Sequence, residues 1–465
     1  MNPSLRQSIF VVACGVAAGL LVMWSPGLAT MIMVLIAVGW LIRRWAPEAD
    51  RAFIVRLYAV AIAARFLIGA ALHLWAMYHG KGYLMYGYEA FDISGDSAYL
   101  SLRAWILAQV RQGRLDAEGL YQGIFHDDGT WLVHPYMWFY SVFGFSQFAA
   151  KLINSLLGAL MPLIAYATTK ALAGVRPAKI AAWLVAFFPS TLLWSVTDLK
   201  ESPTALGLAW GCWAAVRLLQ RGAWPSTLLH AAGALALVWV ARPALAWPFL
   251  ACLVVGSALG FLISRPNRVL IAAAGLLVVG AVVGPPHWAR ASPSAYWKAT
   301  VDRVMNEMVS RHKGERSSGG SSYRIYDPTV YQRNDHGDRF SFSPGQIVRA
   351  LVISWGYFLF SPVPWRISSA LQAVALPELC AWYALMACAL LGLIRLLRRR
   401  CGALMVLVVP LLVLTTFLAM STGNMGVAFR HRGMFIPLYL TLSAAGLGQI
   451  LGLNRRDGAT SVRVV

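Results

Sequence analysis

The chain has 465 residues, of which 58% are hydrophobic and only 13% are charged. A soluble domain of this length would carry about 25% charged residues, so the composition excludes an ordinary soluble fold. The net charge of +21 would suggest nucleic acid in a soluble protein, but here it is typical of basic cytoplasmic loops, and we expect no nucleic-acid partner.

Apolar stretches long enough to cross a bilayer core of about 30 Å recur along the chain. They predict an all-α polytopic membrane protein with about twelve transmembrane helices. The residues before Met23 lack a small-residue cleavage site, so we interpret them as a first span rather than a signal peptide. The predicted spans are 8–24, 27–43, 52–77, 147–172, 178–196, 204–220, 226–241, 243–263, 268–284, 375–397, 403–420 and 434–453.

Alternate connections carry arginine or lysine, from Arg43-Arg44 to Arg455-Arg456, and the positive-inside bias places them in the cytoplasm. Two long hydrophilic segments, 78–134 and 285–346, then face the periplasm of a bacterial inner membrane. Each is followed by a semi-apolar stretch, 135–145 or 346–364, that predicts a helix in the outer interface.

The predicted organisation follows from these assignments. It comprises N-terminal transmembrane helices at 1–77, a first outer loop with interfacial helices at 78–146, a central bundle at 147–284, a second outer loop with an interfacial helix at 285–374, C-terminal transmembrane helices at 375–453 and a cytoplasmic tail at 454–465.

Acidic residues gather on the outer side of this topology, although acids hardly influence membrane orientation. Asp96 follows a glycine and opens an amphipathic helix, where it is either a functional acid or a simple helix cap. Asp198 and Glu201 lie in a very short loop between two spans, either as functional groups or as a solvated loop tip. We predict three further residues of the first outer loop as supporting members of a site around Asp96: Asp92, Tyr99 and His134.

Four cations in short outer connections disobey the positive-inside bias: Lys200, Arg242, Arg430 and Arg432. A buried anionic ligand, most simply a phosphate, would explain all four, because arginine presents a fork that matches phosphate oxygens. Arg65 lies near the middle of a span, where an ionisable group either pairs within the bundle or marks a transport pathway.

No motif specifies a metal or a cofactor. His126-Asp127-Asp128 and His134 could hold a divalent cation with Asp96, but their spacing is irregular, as it is for Asp335-His336-Gly-Asp338. The sequence has no Walker loop, glycine-rich dinucleotide loop or HExxH motif, which argues against direct use of ATP or NAD and against zinc proteolysis.

Several motifs resemble the GT-C membrane glycosyltransferases, which include protein O-mannosyltransferases, lipid A aminoarabinose transferases and bacterial exopolysaccharide transferases. The segment from His134-Pro-Tyr-Met-Trp through Phe143-Gly-Phe to Lys151 and Gly158 is similar to their interfacial helix and the span after it. Gly95-Asp96-Ser-Ala-Tyr99 resembles their first outer loop, although many members pair two acids there. Also similar are Phe188-Pro-Ser-Thr, Leu199-Lys200-Glu201, Arg242-Pro243, Pro362-Val-Pro-Trp365 and Arg430-His-Arg432.

The resemblance implies a polyprenyl-phosphate sugar donor and a glycan, lipid or protein acceptor, with membrane lipid as the surrounding partner. Asp96 would be the general base, and Lys200, Arg242 and the Arg430–Arg432 pair would bind the donor phosphate. The alternatives are a polysaccharide polymerase or ligase that uses lipid-linked glycan, a transporter of such a glycan, and a non-catalytic scaffold. A transporter should show repeated halves and broken mid-membrane sites, and the sequence shows no internal repeat.

Overall fold

A computed structural model describes residues 25–85, 88–92, 94–115, 131–221, 224–264, 293–317, 321–335, 340–365 and 373–453, with positions 23 and 367. Within them the chain is helical apart from one two-stranded ribbon. The elements are α1 Pro26–Trp45, α2 Glu48–Tyr78, β1 Gly82–Met85, β2 Tyr88–Phe91, α3 Gly95–Arg111, α4 Val133–Phe143, α5 Gln147–Ala173, α6 Val175–Phe187, α7 Pro189–Ser195, α8 Glu201–Arg221, α9 Trp224–Ala241, α10 Pro243–Ser264, α11 Pro293–Ser317, α12 Pro328–Asp335, α13 Pro344–Phe360, α14 Leu376–Arg398, α15 Met405–Ser421, α16 Met425–Gly433 and α17 Ile436–Ile450.

Six helices in the described part are long and apolar enough to span a membrane: α1, α2, α5, α10, α14, and α15 with the short 3-10 turn Gly402–Leu404 before it. The bent pairs α6–α7 and α16–α17 raise the number to eight if each pair is one span. The protein is therefore a polytopic membrane protein, as the sequence predicted. Predicted spans 8–24 and 268–284 lie outside the described residues, apart from Met23, and 204–220 and 226–241 correspond to α8 and α9.

The boundaries of α1 follow from its end residues. The Ser25 hydroxyl accepts a hydrogen bond from the Leu28 amide at 3.3 Å, and Pro26 at the first helical position needs no donor of its own. Arg43 and Arg44 in the last turn favour the negative end of the helix dipole. The helix ends before Pro47, because the residue that precedes a proline avoids the helical region.

The chain forms two compact units. The first comprises Met1–Leu163, Thr191–Leu206 and Leu237–Pro243, and the second comprises Ile164–Ser190, Gly207–Ala236 and Ala244–Val465.

In the first unit, strands β1 and β2 pair antiparallel, with Gly82 opposite Phe91 and Met85 opposite Tyr88. This ribbon departs from the expectation of an all-helical chain, since the sequence predicted no strand here. Helix α3 packs on α4, and the residues between them form a core of Leu100, Ala104, Leu107, Leu132, Val133, Tyr136, Met137 and Tyr140. A helix was predicted at 135–145, and α4 covers most of that stretch. Its position at the interface stays a prediction.

In the second unit, α14 and α17 pack so closely that neither tolerates a side chain at the crossing. A Cβ added at Gly392 would overlap the Leu442 carbonyl, and one at Gly446 would overlap the Cys388 carbonyl. Small residues of this kind let membrane helices approach backbone to backbone. A separate core joins α11, α12, α13 and α15 around Val309, Tyr326 and Phe342.

Candidate functional site

A buried ion pair lies where β2 ends in the first unit. The Lys151 ammonium is 2.9 Å from the Asp92 carboxylate, and both side chains are only 3% exposed. The same ammonium donates to the Phe91 carbonyl at 3.1 Å and lies 3.3 Å from His73 Nδ1. Because buried charges persist only when they are paired and hydrogen-bonded, these contacts fix the residues after β2 against α2 and α5.

Two serines on one face of α3 extend this network. Ser97 and Ser101 are four residues apart, so their side chains lie one helical turn from each other. The Ser97 hydroxyl donates to the Asp92 carboxylate and accepts the Asp198 amide at 2.8 Å. The Ser101 hydroxyl donates to Asp198 Oδ2 at 2.5 Å. One face of helix α3 is therefore held by both Asp92 and Asp198.

Polar residues of α5 hold the segment around Asp198. The Asn154 amide donates to the Thr197 carbonyl at 2.7 Å and to the Leu199 carbonyl at 2.9 Å. The Ser155 hydroxyl donates to the Ser195 carbonyl at 3.2 Å. Side chains of a membrane helix thus satisfy three backbone carbonyls around Asp198.

Arg65 closes the network within the bundle. Its Nε donates to Ser195 Oγ at 2.9 Å and its Nη1 donates to the Ala61 carbonyl at 3.0 Å. Gly158 makes room for the guanidinium, because a Cβ there would stand 2.7 Å from Arg65 Nε. Of the two alternatives that the sequence left open for Arg65, these hydrogen bonds fit an arginine held within the bundle.

Asp198 is completely buried and lies outside the helices, between α7 and α8. Burial raises the pKa of its carboxyl to about 7, and the neighbouring Asp92 carboxylate adds to the rise while Lys151 opposes it. Burial and the Asp198 carboxyl together keep the pKa of the Tyr136 and Tyr140 phenols well above their ordinary value. Near pH 7 Asp198 therefore holds a proton about half of the time. Its hydrogen bonds to Ser97 and Ser101 anchor α3.

A second buried ion pair lies in the same unit. The Arg242 Nη2 atom is 2.8 Å from Glu201 Oε1, with the two side chains 13% and 1% exposed. Glu201 opens α8, where the helix dipole favours an anion. Lys200 precedes it and is half-buried. Two of the four cations predicted to bind phosphate, Lys200 and Arg242, are thus in this unit. Arg242 is paired with Glu201, which was predicted as a supporting residue.

The predicted general base, Asp96, is an exposed residue in the first turn of α3. It is adjacent in sequence to Ser97, so the network above also fixes its backbone. Tyr99 is half-buried, with the Tyr83 ring 5.4 Å from its own ring and the Arg103 guanidinium 5.3 Å away. His134, in the first turn of α4, is half-buried against the Trp131 ring.

The other two predicted cations lie in α16 of the second unit. Arg432 is 1% exposed, and its Nη1 donates to the Leu359 carbonyl at 3.0 Å and the Ser361 carbonyl at 3.2 Å. Its guanidinium also contacts the Trp382 and Phe429 rings. These contacts are those of an arginine that holds the end of α13. Arg430 is half-buried, so it is the more accessible of the two.

A strap, residues 321–326 of the second outer loop, holds the start of α16. The Tyr323 amide donates to the Gly423 carbonyl at 3.0 Å, and the Met425 amide donates to the Ser321 carbonyl at 2.9 Å. The Tyr326 hydroxyl donates to the Met420 carbonyl at 2.9 Å. The predicted second outer loop thus fixes the start of the helix that carries Arg430.

No group of three or more His, Cys, Asp or Glu side chains in the described ranges could hold a metal ion. His126, Asp127 and Asp128 lie outside those ranges, as do His336 and Asp338. The divalent cation therefore stays a prediction.

The sequence did not single out Lys151, Ser101 or Asn154 as site residues. A signal was present, because Lys151, Asn154 and Ser155 place three polar side chains on one face of an otherwise apolar span. Such residues are costly in a membrane and usually face a partner inside the bundle.

Residues 131–297 match the family model described as dolichyl-phosphate-mannose-protein mannosyltransferase. The resemblance to GT-C membrane glycosyltransferases is confirmed over this segment, which contains Lys151, Asp198, Glu201 and Arg242. No curated protein matches the sequence.

Among solved structures, the apo oligosaccharyltransferase of Archaeoglobus fulgidus is similar at 15% identity and a TM-score of 0.46, covering 86% of this chain and 51% of that one. The oligosaccharyltransferase AglB of the same organism, in complex with an inhibitory peptide and a dolichol-phosphate, is similar at 14% identity and a TM-score of 0.47, covering 90% and 53%. This chain thus spans about half the length of those proteins. ArnT from Cupriavidus metallidurans, bound to undecaprenyl phosphate, is similar at 14% identity and a TM-score of 0.32, covering 86% and 78%.

Proposed function

We propose that this protein is a glycosyltransferase that moves a sugar from a polyprenyl-phosphate donor to an acceptor hydroxyl. The reaction would take place at the outer face of a bacterial inner membrane, in cell-envelope or exopolysaccharide synthesis. The observation that carries the proposal is the buried network of Asp92, Lys151 and Asp198. Through Ser97 this network fixes the backbone next to Asp96, which is exposed. The family-model match over residues 131–297 supports the reaction class.

Asp96 is the proposed general base. A base must be reachable by the acceptor, and Asp96 is exposed. Asp92 is buried in its pair with Lys151, and Asp198 is completely buried. Ser97, the next residue, is anchored to both buried acids, so Asp96 is carried on a fixed backbone. Positioning of this kind lowers the barrier because the base need not be ordered during the reaction.

In the proposed reaction the acceptor oxygen forms a bond to the anomeric carbon while its proton passes to the Asp96 carboxylate. The bond between the anomeric carbon and the donor phosphate oxygen breaks, and the electron pair leaves with the polyprenyl phosphate. Negative charge gathers on that phosphate, so nearby cations stabilise the transition state. We assign this role to Lys200 and Arg242, which lie in the first unit with Asp96. The phosphate-binding role of Arg430, in the second unit, stays a prediction from the sequence.

For Arg432, whose guanidinium already bonds two carbonyls, the contacts support a positioning role more than direct phosphate binding. A divalent cation, if the protein uses one, would add to the charge that stabilises the leaving phosphate.

The test is turnover of polyprenyl-phosphate sugars by the purified full chain, measured as released polyprenyl phosphate. Asp96→Asn should lower kcat by about 10²- to 10⁴-fold while the melting temperature is unchanged. The matched control is Glu89→Gln, which removes another exposed carboxylate from the same outer loop and should leave turnover unchanged.

Other outcomes separate the alternative functions. Full activity of Asp96→Asn would remove the general-base assignment but keep the transferase. Turnover confined to lipid-linked oligosaccharides would indicate a polymerase or ligase. A wild-type protein that moves lipid-linked sugar across vesicles without cleaving it would be a transporter, and the proposal would be wrong.

A further inference from the structure

The connection between α1 and α2 forms a basic cleft with a volume of about 290 Å³. It is lined by Trp40, Arg43, Arg44 and Arg51, which come from the last turns of α1 and the first turn of α2. We refer to this feature as the elbow cleft. It lies in the first unit and involves none of the residues assigned to the transferase reaction.

The three arginines of the elbow cleft have no ion-pair partner within the described residues. The contacts that they do make are weak, since the Arg44 guanidinium lies 5.6 Å from the centre of the Trp40 ring and Arg51 Nε donates to the Ala46 carbonyl at 3.4 Å. Glu48 and Asp50 lie in the same first turn of α2 as Arg51, and Glu48 forms no ion pair with the three arginines. Three like charges around one cleft repel one another, and an anion placed between them would relieve the repulsion.

The surface that leads to the elbow cleft indicates what kind of anion fits. Met33, Ile36 and Trp40 are 59%, 67% and 58% exposed, and their spacing of three and four residues places them on one face of α1. Arg44 continues that face by one further turn. A ligand with a hydrocarbon tail along the apolar stripe and a negative head against the guanidinium groups would satisfy both parts.

We propose that the elbow cleft binds the phosphate of an anionic phospholipid, with an acyl chain along the exposed face of α1. Two or three guanidinium groups would donate hydrogen bonds to the oxygens of the phosphate. Trp40 would line one side of the cleft, since tryptophan side chains favour the membrane interface. By the positive-inside bias this end of α1 faces the cytoplasm, where basic pockets between helices meet anionic headgroups.

The experiment measures thermal unfolding of the full chain in neutral detergent during titration with phosphatidylglycerol, phosphatidylcholine or inorganic phosphate. Phosphatidylglycerol should raise the melting temperature saturably, and the other two should not. In the triple variant R43Q/R44Q/R51Q its dissociation constant should rise by about two orders of magnitude, since each arginine contributes about a fivefold effect. The matched control is Arg56→Gln, an exposed arginine of α2 that does not line the cleft and should change binding less than about twofold.

Several results would overturn the assignment. An equal shift with inorganic phosphate would mean that the cleft binds a soluble phosphate and not a lipid. Equal binding by the wild type and the triple variant, or an equal loss in Arg56→Gln, would mean that net charge alone attracts the lipid. If the triple variant does not fold, the single variants Arg43→Gln and Arg44→Gln decide, because each should weaken phosphatidylglycerol binding about fivefold. None of these results depends on glycosyl transfer, so the transferase proposal stands or fails separately.

Discussion

Removing Lys151 should destabilise the first unit far more than a surface substitution would. In Lys151→Met the Asp92 carboxylate keeps its bond to Ser97 but loses the ammonium that is 2.9 Å away, at a site where both side chains are 3% exposed. A buried charge left without its partner typically costs about 3–5 kcal/mol. We therefore expect the free energy of unfolding to fall by about that amount, and Asp92→Asn should have a similar effect because it leaves the ammonium unpaired.

The double variant D92N/K151M distinguishes pairing from packing. With both charges gone no uncompensated ion remains, so the double variant should recover more than half of the loss seen in either single variant. The surface pair Arg311–Glu307, whose side chains are 47% and 60% exposed, is the matched control, and R311M with E307Q should cost at most about 0.5 kcal/mol. The assay is reversible unfolding in mixed micelles, followed by circular dichroism. If Lys151→Met unfolds at the same point as wild type, or if the two single losses simply add, the reasoning is wrong.

Two further predictions concern other parts of the structure. The pKa of Asp198 is raised to about 7, so the folded chain keeps this proton between pH 4 and 7 while the unfolded chain releases it. This contribution to stability is therefore fully present below pH 4 and falls as the pH rises to 7. Asp198→Asn should flatten that part of a profile of melting temperature against pH, and parallel profiles for the variant and the wild type would contradict the assignment. In the second unit, Gly423→Ala should lower stability by about 1–3 kcal/mol, because its Cβ would overlap the His312 carbonyl and the Arg316 side chain of α11. Gly345→Ala, which has open space around it, is the control in the same melting assay, and equal stability of the two variants would show that α11 does not pack this closely on Gly423.

Helix positions were largely predictable, because the hydropathy of a segment is a local property that the membrane reads directly. The predicted spans 27–43 and 147–172 agree with α1 and α5 within a few residues. The amphipathic helix expected after Asp96 is α3, and the helix expected at 346–364 is present as α13. The β1–β2 ribbon was missed, since its short strands lack a clear alternation of apolar and polar residues.

The candidate site was predictable only in part. Asp198, Glu201 and Arg242 were singled out because charged groups beside apolar spans are costly. In the structure Glu201 and Arg242 form an ion pair, and Asp198 is hydrogen-bonded to Ser101. Asp92, predicted as a supporting residue near Asp96, is paired with Lys151. Arg430 and Arg432 are only two residues apart, so the cost of a charge beside an apolar span could not indicate which of them is buried. Only the packing of α16 shows that Arg432 is buried against Leu359 and Ser361 while Arg430 is half-buried.

By itself the sequence determined that this chain is a polytopic membrane protein, where most of its helices lie, and which charges are out of place in lipid. The tertiary structure decided which of those charges meet. Ser101 and Asp198 are 97 residues apart and Asp92 reaches Lys151 across two elements, and such contacts depend on how distant helices pack. Hydropathy reports the burial of each segment separately, so it cannot indicate which partner neutralises a buried charge.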